Sequence, residues 1–109
     1  MALSVAYETM RSVASTALTG SYQVIGSALA YPSIITKMVN NSDVDVTIST
    51  NGVDDMDSAP SGGFWLYDFS KNINECNLSF PKGTQFYIKG TAGTTGTIDL
   101  VTIHTGGPS

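Results

Sequence analysis

The sequence has little charge, a single cysteine and no long apolar run. Charged residues make up 13% of its 109 residues, about half the share of an average domain. The five basic residues are scattered, at Arg11, Lys37, Lys71, Lys82 and Lys89. Without a basic cluster that neutralises phosphates, we expect neither nucleic acid nor a membrane as a partner. No apolar run approaches the roughly 20 residues that cross a bilayer, and the first residues lack the features of a secretory signal, so we expect folding in a cytoplasm.

The sequence also lacks the motifs of a catalytic or cofactor site. Neither a G-x-S-x-G nucleophile turn nor a glycine-rich phosphate loop is present. The single cysteine, Cys76, excludes an internal disulfide and is expected to be a structural thiol. The single histidine, His104, is expected to be an exposed polar residue near the C-terminus. We therefore predict no catalytic residue, no metal ligand and no cofactor, and a small hydrolase is the enzymatic alternative.

Five of the nine acidic residues occur in two groups, Asp43 with Asp45 and Asp54 with Asp55 and Asp57. Calcium is often held by several carboxylates and carbonyls from such loops, but the spacing is not that of an EF-hand. We predict a solvated strand face followed by turns, with a structural cation as the alternative.

What the chain does contain is the composition of a β protein. It has 13 threonines, 13 serines and 11 glycines; threonine favours strands, while serine and glycine favour turns. Short runs of valine, isoleucine, threonine and aromatic residues lie between turn residues. These runs predict strands at about 21–26, 33–39, 43–50, 64–69, 77–80, 85–89 and 97–103.

Two hairpins are predicted from the turn residues. The strand 43–50 has the clearest alternation of apolar and polar residues, and Asn51-Gly52 follows it as a strong hairpin signal. A polar loop is then expected over 53–63. The second hairpin is predicted between strands 85–89 and 97–103, across a glycine-rich loop.

The segment 64–69 is apolar on both faces. One face carries Trp65, Tyr67 and Phe69, and the other carries Phe64 and Leu66 beside Asp68. Such a strand is central to a sandwich or lies at a subunit interface, and a sugar-stacking platform is the alternative. The predicted core consists of Val44, Val46, Ile48, Trp65, Tyr67, Tyr87 and Leu100.

The first 19 residues allow two interpretations. Met10, Val13 and Leu18 have helical spacing, but the serines and threonines between them are poor helix formers, so we favour an extended arm or first strand over 1–19. A sandwich domain is expected over 20–105 and a loose tail over 106–109. The predicted fold is all-β, a single-domain antiparallel β-sandwich or jelly roll with an extended N-terminal arm.

Three segments follow one another along most of the chain: SYQVIGSALAYPSIITKMVNNSDVDVTISTNGVDD, then GGFWLYDFS, then FPKGTQFYIKGTAGTTGTIDLVTIH. Their order resembles that of small virion structural proteins of tailed bacteriophages. The resemblance implies a non-enzymatic part of the virion that is assembled in the host cytoplasm. It implies a capsid decoration (cement) protein that stabilises the head, with a neck, collar or tail accessory protein as the alternative. The implied partners are copies of itself, a trimer being one expected state, and the major capsid protein or other virion proteins.

The small number of charges leaves the sheet edges open to association. We therefore expect the remaining apolar face and the N-terminal arm to bury area against copies of the chain. The predicted interface residues are Tyr7, Met10, Val13, Phe64 and Leu66. A carbohydrate- or receptor-binding module remains a further alternative, because the aromatic strand also suits a binding surface.

Overall fold

The computed structural model describes residues 5–68 and 80–105, which form two antiparallel sheets packed around one apolar core. The first sheet contains β1 (Val5–Tyr7), β2 (Arg11–Ala14), β4 (Ile35–Asn40), β7 (Phe64–Asp68) and β9 (Thr97–Thr105). The second sheet contains β3 (Gln23–Val24), β5 (Val46–Ser49), β6 (Asp57–Ala59) and β8 (Tyr87–Lys89). The all-β sandwich predicted from the alternation is confirmed. In the parts of the chain that the structure describes, no helix has the length and apolar content needed to cross a membrane.

β9 organises the first sheet. β1 and β2 pair one after the other along one side of β9, β4 pairs along its other side, and β7 lies outside β4. The order in the second sheet is β3, β8, β5, β6. A single 3-10 turn, Ser15–Ala17, follows β2, and Leu18 beyond it is buried in the core. The N-terminal segment is thus extended, as favoured over a helix, and its strands β1 and β2 belong to the sheet.

The core consists of side chains from both inner faces. Its buried members are Leu18, Ile25, Leu29, Met38, Val46, Ile48, Ala59, Trp65, Phe86, Ile88, Ile98 and Leu100. Of the predicted core residues, Val44 is half-buried against this cluster and Tyr87 is half-buried. Tyr67 is 43% exposed, so its placement in the core was wrong. In the described residues β7 is an outer strand of its sheet, at the margin of the core.

The predicted hairpin between the last two strands is also wrong, because β8 and β9 belong to different sheets. The segment 90–96 crosses from one sheet to the other. It is held by a hydrogen bond from the Gly93 N–H to the Ser15 carbonyl (3.0 Å) and by two from the Thr94 and Thr95 N–H groups to Asp43. Alternation within a strand reports which face is buried, but it does not report which strand lies alongside.

A hairpin does follow the Asn51-Gly52 signal, as the antiparallel pair β5–β6, but its turn is longer than the two residues predicted. The carboxamide oxygen of Asn51 accepts hydrogen bonds from the N–H groups of Val53 and Asp54, and Gly52 has a φ of 74°. β6 lies inside the segment predicted to be a polar loop. Its sequence Asp-Ser-Ala contains a single apolar residue, Ala59, which is buried.

Some sequence predictions lie outside the described residues. These are Phe69, the thiol of Cys76, most of the strand 77–80 and the tail 106–109. Phe80 itself forms an antiparallel bridge with Ser33.

Candidate functional site: the outer face of the first sheet

The first sheet presents one face to the core and the other to solvent. In β4 and β9 the residues alternate strictly between buried and partly exposed positions, as period-two geometry requires. We call the solvent side the outer face; it is formed by Tyr7, Ser12, Ile35, Lys37, Val39, Phe64, Leu66, Asp68, Asp99, Val101 and Ile103.

The strand register arranges the outer face in three rows. The first row is Phe64, Val39, Asp99 and Ser12. The second row is Leu66, Lys37 and Val101. The third row is Asp68, Ile35, Ile103 and Tyr7. Each row runs across the strands, so residues that are distant in sequence become neighbours on one surface.

Most of the outer face is apolar and exposed. Tyr7 is 69% exposed, Phe64 63% and Leu66 47%, and the isoleucines and valines between them are half-buried. Four strands about 4.8 Å apart and five residues of about 3.4 Å along each give a flat area of roughly 320 Å². This area is that of the whole face, including its three charged residues and Ser12; the largest apolar patch on a typical monomer measures about 300–600 Å² and is often functional.

Three charged residues lie among these apolar ones. Asp99 accepts hydrogen bonds from the Ser12 hydroxyl (2.6 Å) and the Asn41 carboxamide (3.4 Å). Lys37 is exposed and forms no ion pair with any residue in the described ranges. The third charge is Asp68, on β7. The outer face therefore combines apolar area with a cation that forms no ion pair with the described carboxylates.

Three of the five predicted interface residues, Tyr7, Phe64 and Leu66, lie on the outer face. Met10 is 54% exposed in the link between β1 and β2, at the edge of the same sheet. Val13 points to the opposite side and packs against the core, so it is not brought together with the others.

The outer face also contains residues that were not singled out, namely Ile35, Val39, Val101 and Ile103. The sequence could have indicated them, because β4 and β9 carry apolar residues on both faces, whereas a strand with one solvated face normally has polar residues on that face.

The aromatic strand does not offer a flat stacking platform. Trp65 is only 7% exposed, and its indole N–H donates to the Asp57 carboxylate at 2.7 Å. The Tyr67 ring meets the Trp65 ring edge-on, with centroids 4.8 Å apart. Both rings border a cleft of about 130 Å³ between the sheets, which Ile48 and Phe80 also line.

His104 is buried at 7% exposure, so the expectation of an exposed histidine was wrong. It occupies an inward position of β9, and its ring stacks on that of Tyr31 at a centroid distance of 4.1 Å. Among the described residues, no three histidine, cysteine, aspartate or glutamate side chains converge as metal ligands would.

A buried ion pair fixes the edge of the first sheet. Arg11, counted in the sequence only as a scattered basic residue, is 8% exposed and pairs with Glu8 at 3.0 Å. Burial raises the pKa of Glu8, but hydrogen bonds from Arg11 and from the N–H groups of Ala30 and Tyr31 outweigh it and hold the pKa below its ordinary value. Arg11 also donates to the carbonyl of Ser27. The pair therefore ties the loop before β4 to the start of β2.

Asp43 and Asp55 accept hydrogen bonds from segments that are distant in sequence, and Asp43 and Asp45 lie before β5 and not on a strand face as predicted. Hydrogen bonds from Thr94 lower the pKa of Asp43 to about 2. Asp55 accepts hydrogen bonds from Lys89 (2.8 Å) and from Tyr22 (2.5 Å), and these bonds lower its pKa. The Lys89 ammonium also lies 4.7 Å from the centre of the Tyr22 ring.

Comparisons with known proteins show the following. No protein-family model matches the chain, and no curated protein matches it. A solved structure from work on Bacillus endospore appendages, described as a novel family of disulfide-linked pili, is similar with 10% sequence identity and a TM-score of 0.48. The similarity covers 96% of this chain and 91% of that chain. At this identity and score it carries no argument about function.

Proposed function

We propose that this protein is a non-enzymatic structural subunit of a bacteriophage virion. Within the virion, we assign it as a capsid decoration protein that binds copies of itself and the major capsid protein. The observation that carries the proposal is the outer face, where Phe64, Leu66 and Tyr7 expose apolar area on a regular sheet. Burial of such area against another protein is favourable, by roughly 25 cal/mol per Å² removed from water. The order of sequence segments that resembles small phage virion proteins supports the same assignment.

The size of the outer face suits a subunit that is present in many copies. A standard stable interface buries about 800 Å² per partner, more than the roughly 320 Å² flat area of this face. A subunit held at several points of a lattice also gains avidity beyond any single contact. A neck, collar or tail accessory protein repeated in a ring would use the same physics, and it is the alternative location.

The first experiment measures self-association and binding to capsid shells. Phe64→Ser combined with Leu66→Ser is expected to weaken both, because it removes the most exposed apolar side chains of β7. The matched control is Val24→Ser combined with Val53→Ser, which removes two exposed apolar side chains elsewhere, at 51% and 76% exposure. A wild-type protein that stays monomeric in light scattering and does not bind shells would contradict the proposal.

The second experiment locates the protein on the particle. Gold-labelled antibody is expected to cover the head in electron micrographs. Label confined to a ring at the neck or tail would replace decoration by the accessory function. Particles without label would contradict a virion role altogether.

A further inference from the structure

The charges on the outer face lie on one diagonal of its three rows. Asp99 is in the first row on β9, Lys37 in the second row on β4, and Asp68 in the third row on β7. Leu66 and Val101 are the direct cross-strand neighbours of Lys37. The direct cross-strand neighbours of the single cation of this face are therefore apolar, while Asp99 and Asp68 lie diagonally from it.

This arrangement restricts what can cover the face. Burying an ammonium without a partner is strongly unfavourable, whereas a paired and hydrogen-bonded ammonium is tolerated. An occupant of the outer face that brings a carboxylate to Lys37 is therefore favoured over one that does not. It must also be flat and apolar around that carboxylate, which is a description of the outer face itself.

Two copies can stack sheet on sheet about a two-fold axis in two aligned ways. With the axis across the strands, the second row faces its own copy, and Lys37 lies opposite Lys37. That arrangement places like charges together and is unfavourable. With the axis along the strands, β4 faces β9, and Lys37 lies opposite Val101 of the second copy. Asp99 of the second copy then lies beside Lys37, one row along.

We propose that two copies pack outer face on outer face about a two-fold axis parallel to β4 and β9, with Lys37 of each copy paired to Asp99 of the other. This inference rests on the self-association in the proposed function and specifies its geometry. Stacked sheets lie about 10 Å apart, a gap that a lysine and an aspartate side chain span together. Asp99 accepts from Ser12 and Asn41, and a carboxylate has about four acceptor sites, so it can accept from Lys37 as well.

Charge reversal tests the pairing in solution. Lys37→Glu is expected to weaken dimerisation about tenfold or more in sedimentation equilibrium, because two pairs in each dimer become repulsive. Lys82→Glu makes the same change of charge in the exposed turn at residue 82, away from the outer face, and is expected to leave the dimer unchanged. The double variant Lys37→Glu with Asp99→Lys restores opposite charges and is expected to recover dimerisation.

Zero-length cross-linking tests the pairing without any substitution, so that it does not depend on the folding of Asp99→Lys. A carbodiimide activates the Asp99 carboxylate, the Lys37 amine attacks it, and an amide forms as the carbodiimide takes up water to become a urea. In a mixture of light and heavy isotope-labelled protein, the expected product is a Lys37–Asp99 peptide pair with one light and one heavy half.

Three results would overturn this geometry: a trimer, an unchanged dimer in Lys37→Glu, or Lys37–Asp99 cross-links found only within single copies. Each leaves the proposed function standing if association and shell binding persist. A monomer that does not bind shells removes both.

Discussion

Replacement of Gly26 by alanine measures how tightly the buried Glu8–Arg11 pair is packed. Gly26 has a φ of 70°, in the left-handed region. A Cβ at this position would lie 2.5 Å from Cγ, 2.7 Å from Cβ and 2.8 Å from Cδ of Arg11. The Arg11 guanidinium is held by the Ser27 and Ala28 carbonyls and by Glu8, so its aliphatic part has little room to move.

Two costs add at Gly26. Alanine in the left-handed region costs about 1–2 kcal/mol, of which roughly 0.4–1 kcal/mol is offset by the reduced freedom of the unfolded chain. Overpacking against Arg11 adds about 1–3 kcal/mol. We therefore expect Gly26→Ala to lower the free energy of unfolding by about 2–4 kcal/mol. Gly62→Ala carries only the first cost, about 1 kcal/mol, because no atom lies within 4 Å of its Cβ position and its φ is 74°.

The assay is urea unfolding followed by the fluorescence of Trp65, the single tryptophan of the chain. The two alanine variants are expected to differ by about 1–3 kcal/mol, which corresponds to roughly 4–12 °C in Tm. Equal stability of Gly26→Ala and Gly62→Ala would refute the reasoning, because it would mean that Arg11 moves aside at no cost.

Three further predictions follow from buried or hydrogen-bonded polar groups. Asn40→Ala is expected to lower the free energy of unfolding by about 2–5 kcal/mol, measured by urea unfolding. The fully buried carboxamide makes four hydrogen bonds, and its removal takes the donor away from two carbonyl groups. Hydrogen bonds from Thr94 lower the pKa of Asp43 to about 2. The stability that ionised Asp43 contributes to the folded state is therefore complete above about pH 4 and is lost as the pH falls towards 2. Asp43→Asn is expected to remove this part of the loss of stability in acid. Burial and the hydrogen bond to Asp55 raise the pKa of Tyr22 to about 12, and Asp55→Asn is expected to lower that pKa in an ultraviolet phenolate titration.

Each of these predictions has its own contrary result. The Asn40 prediction is contradicted if Asn40→Ala lowers the free energy of unfolding no more than Asn41→Ala, since the Asn41 side chain is exposed. The Asp43 prediction is contradicted if the urea midpoint falls equally in the wild type and in Asp43→Asn as the pH is lowered. For Tyr22 it is a phenolate titration that is unchanged by the loss of the carboxylate at position 55.

The fold class was predictable because alternation is a local property of each strand. Val46 and Ile48 in β5, and Ile98 and Leu100 in β9, point into the core at the positions that period two requires. The pairing of strands was not predictable in the same way. β8 and β9 follow one another in the chain yet lie in different sheets, because Asp43 and Ser15 hold the segment between them across the sandwich.

The outer face was predictable only in part. Phe64 and Leu66 share a face by strand periodicity alone, but their proximity to Val101 and Ile103 depends on the register of β7, β4 and β9. A register is set by contacts between segments distant in sequence, which a single sequence does not display.

The buried polar residues were the hardest to foresee. Arg11, Asn40 and His104 are types that are mostly exposed or intermediate in proteins, so their burial contradicts the ordinary expectation. For Arg11 and Asn40, burial is compensated by carbonyl groups of nearby loops and of β6, whose positions depend on the completed fold.

The position of β9 has a consequence for the timing of folding. β9 supplies the pairing partner of β1 and β2 and one of the two partners of β4, yet it is the last strand in chain order. During synthesis the N-terminal strands remain without their partner until residues 97–105 have left the ribosome. Formation of the first sheet therefore waits until β9 has been synthesised, and a truncated product that lacks β9 exposes unpaired strand edges and aggregates.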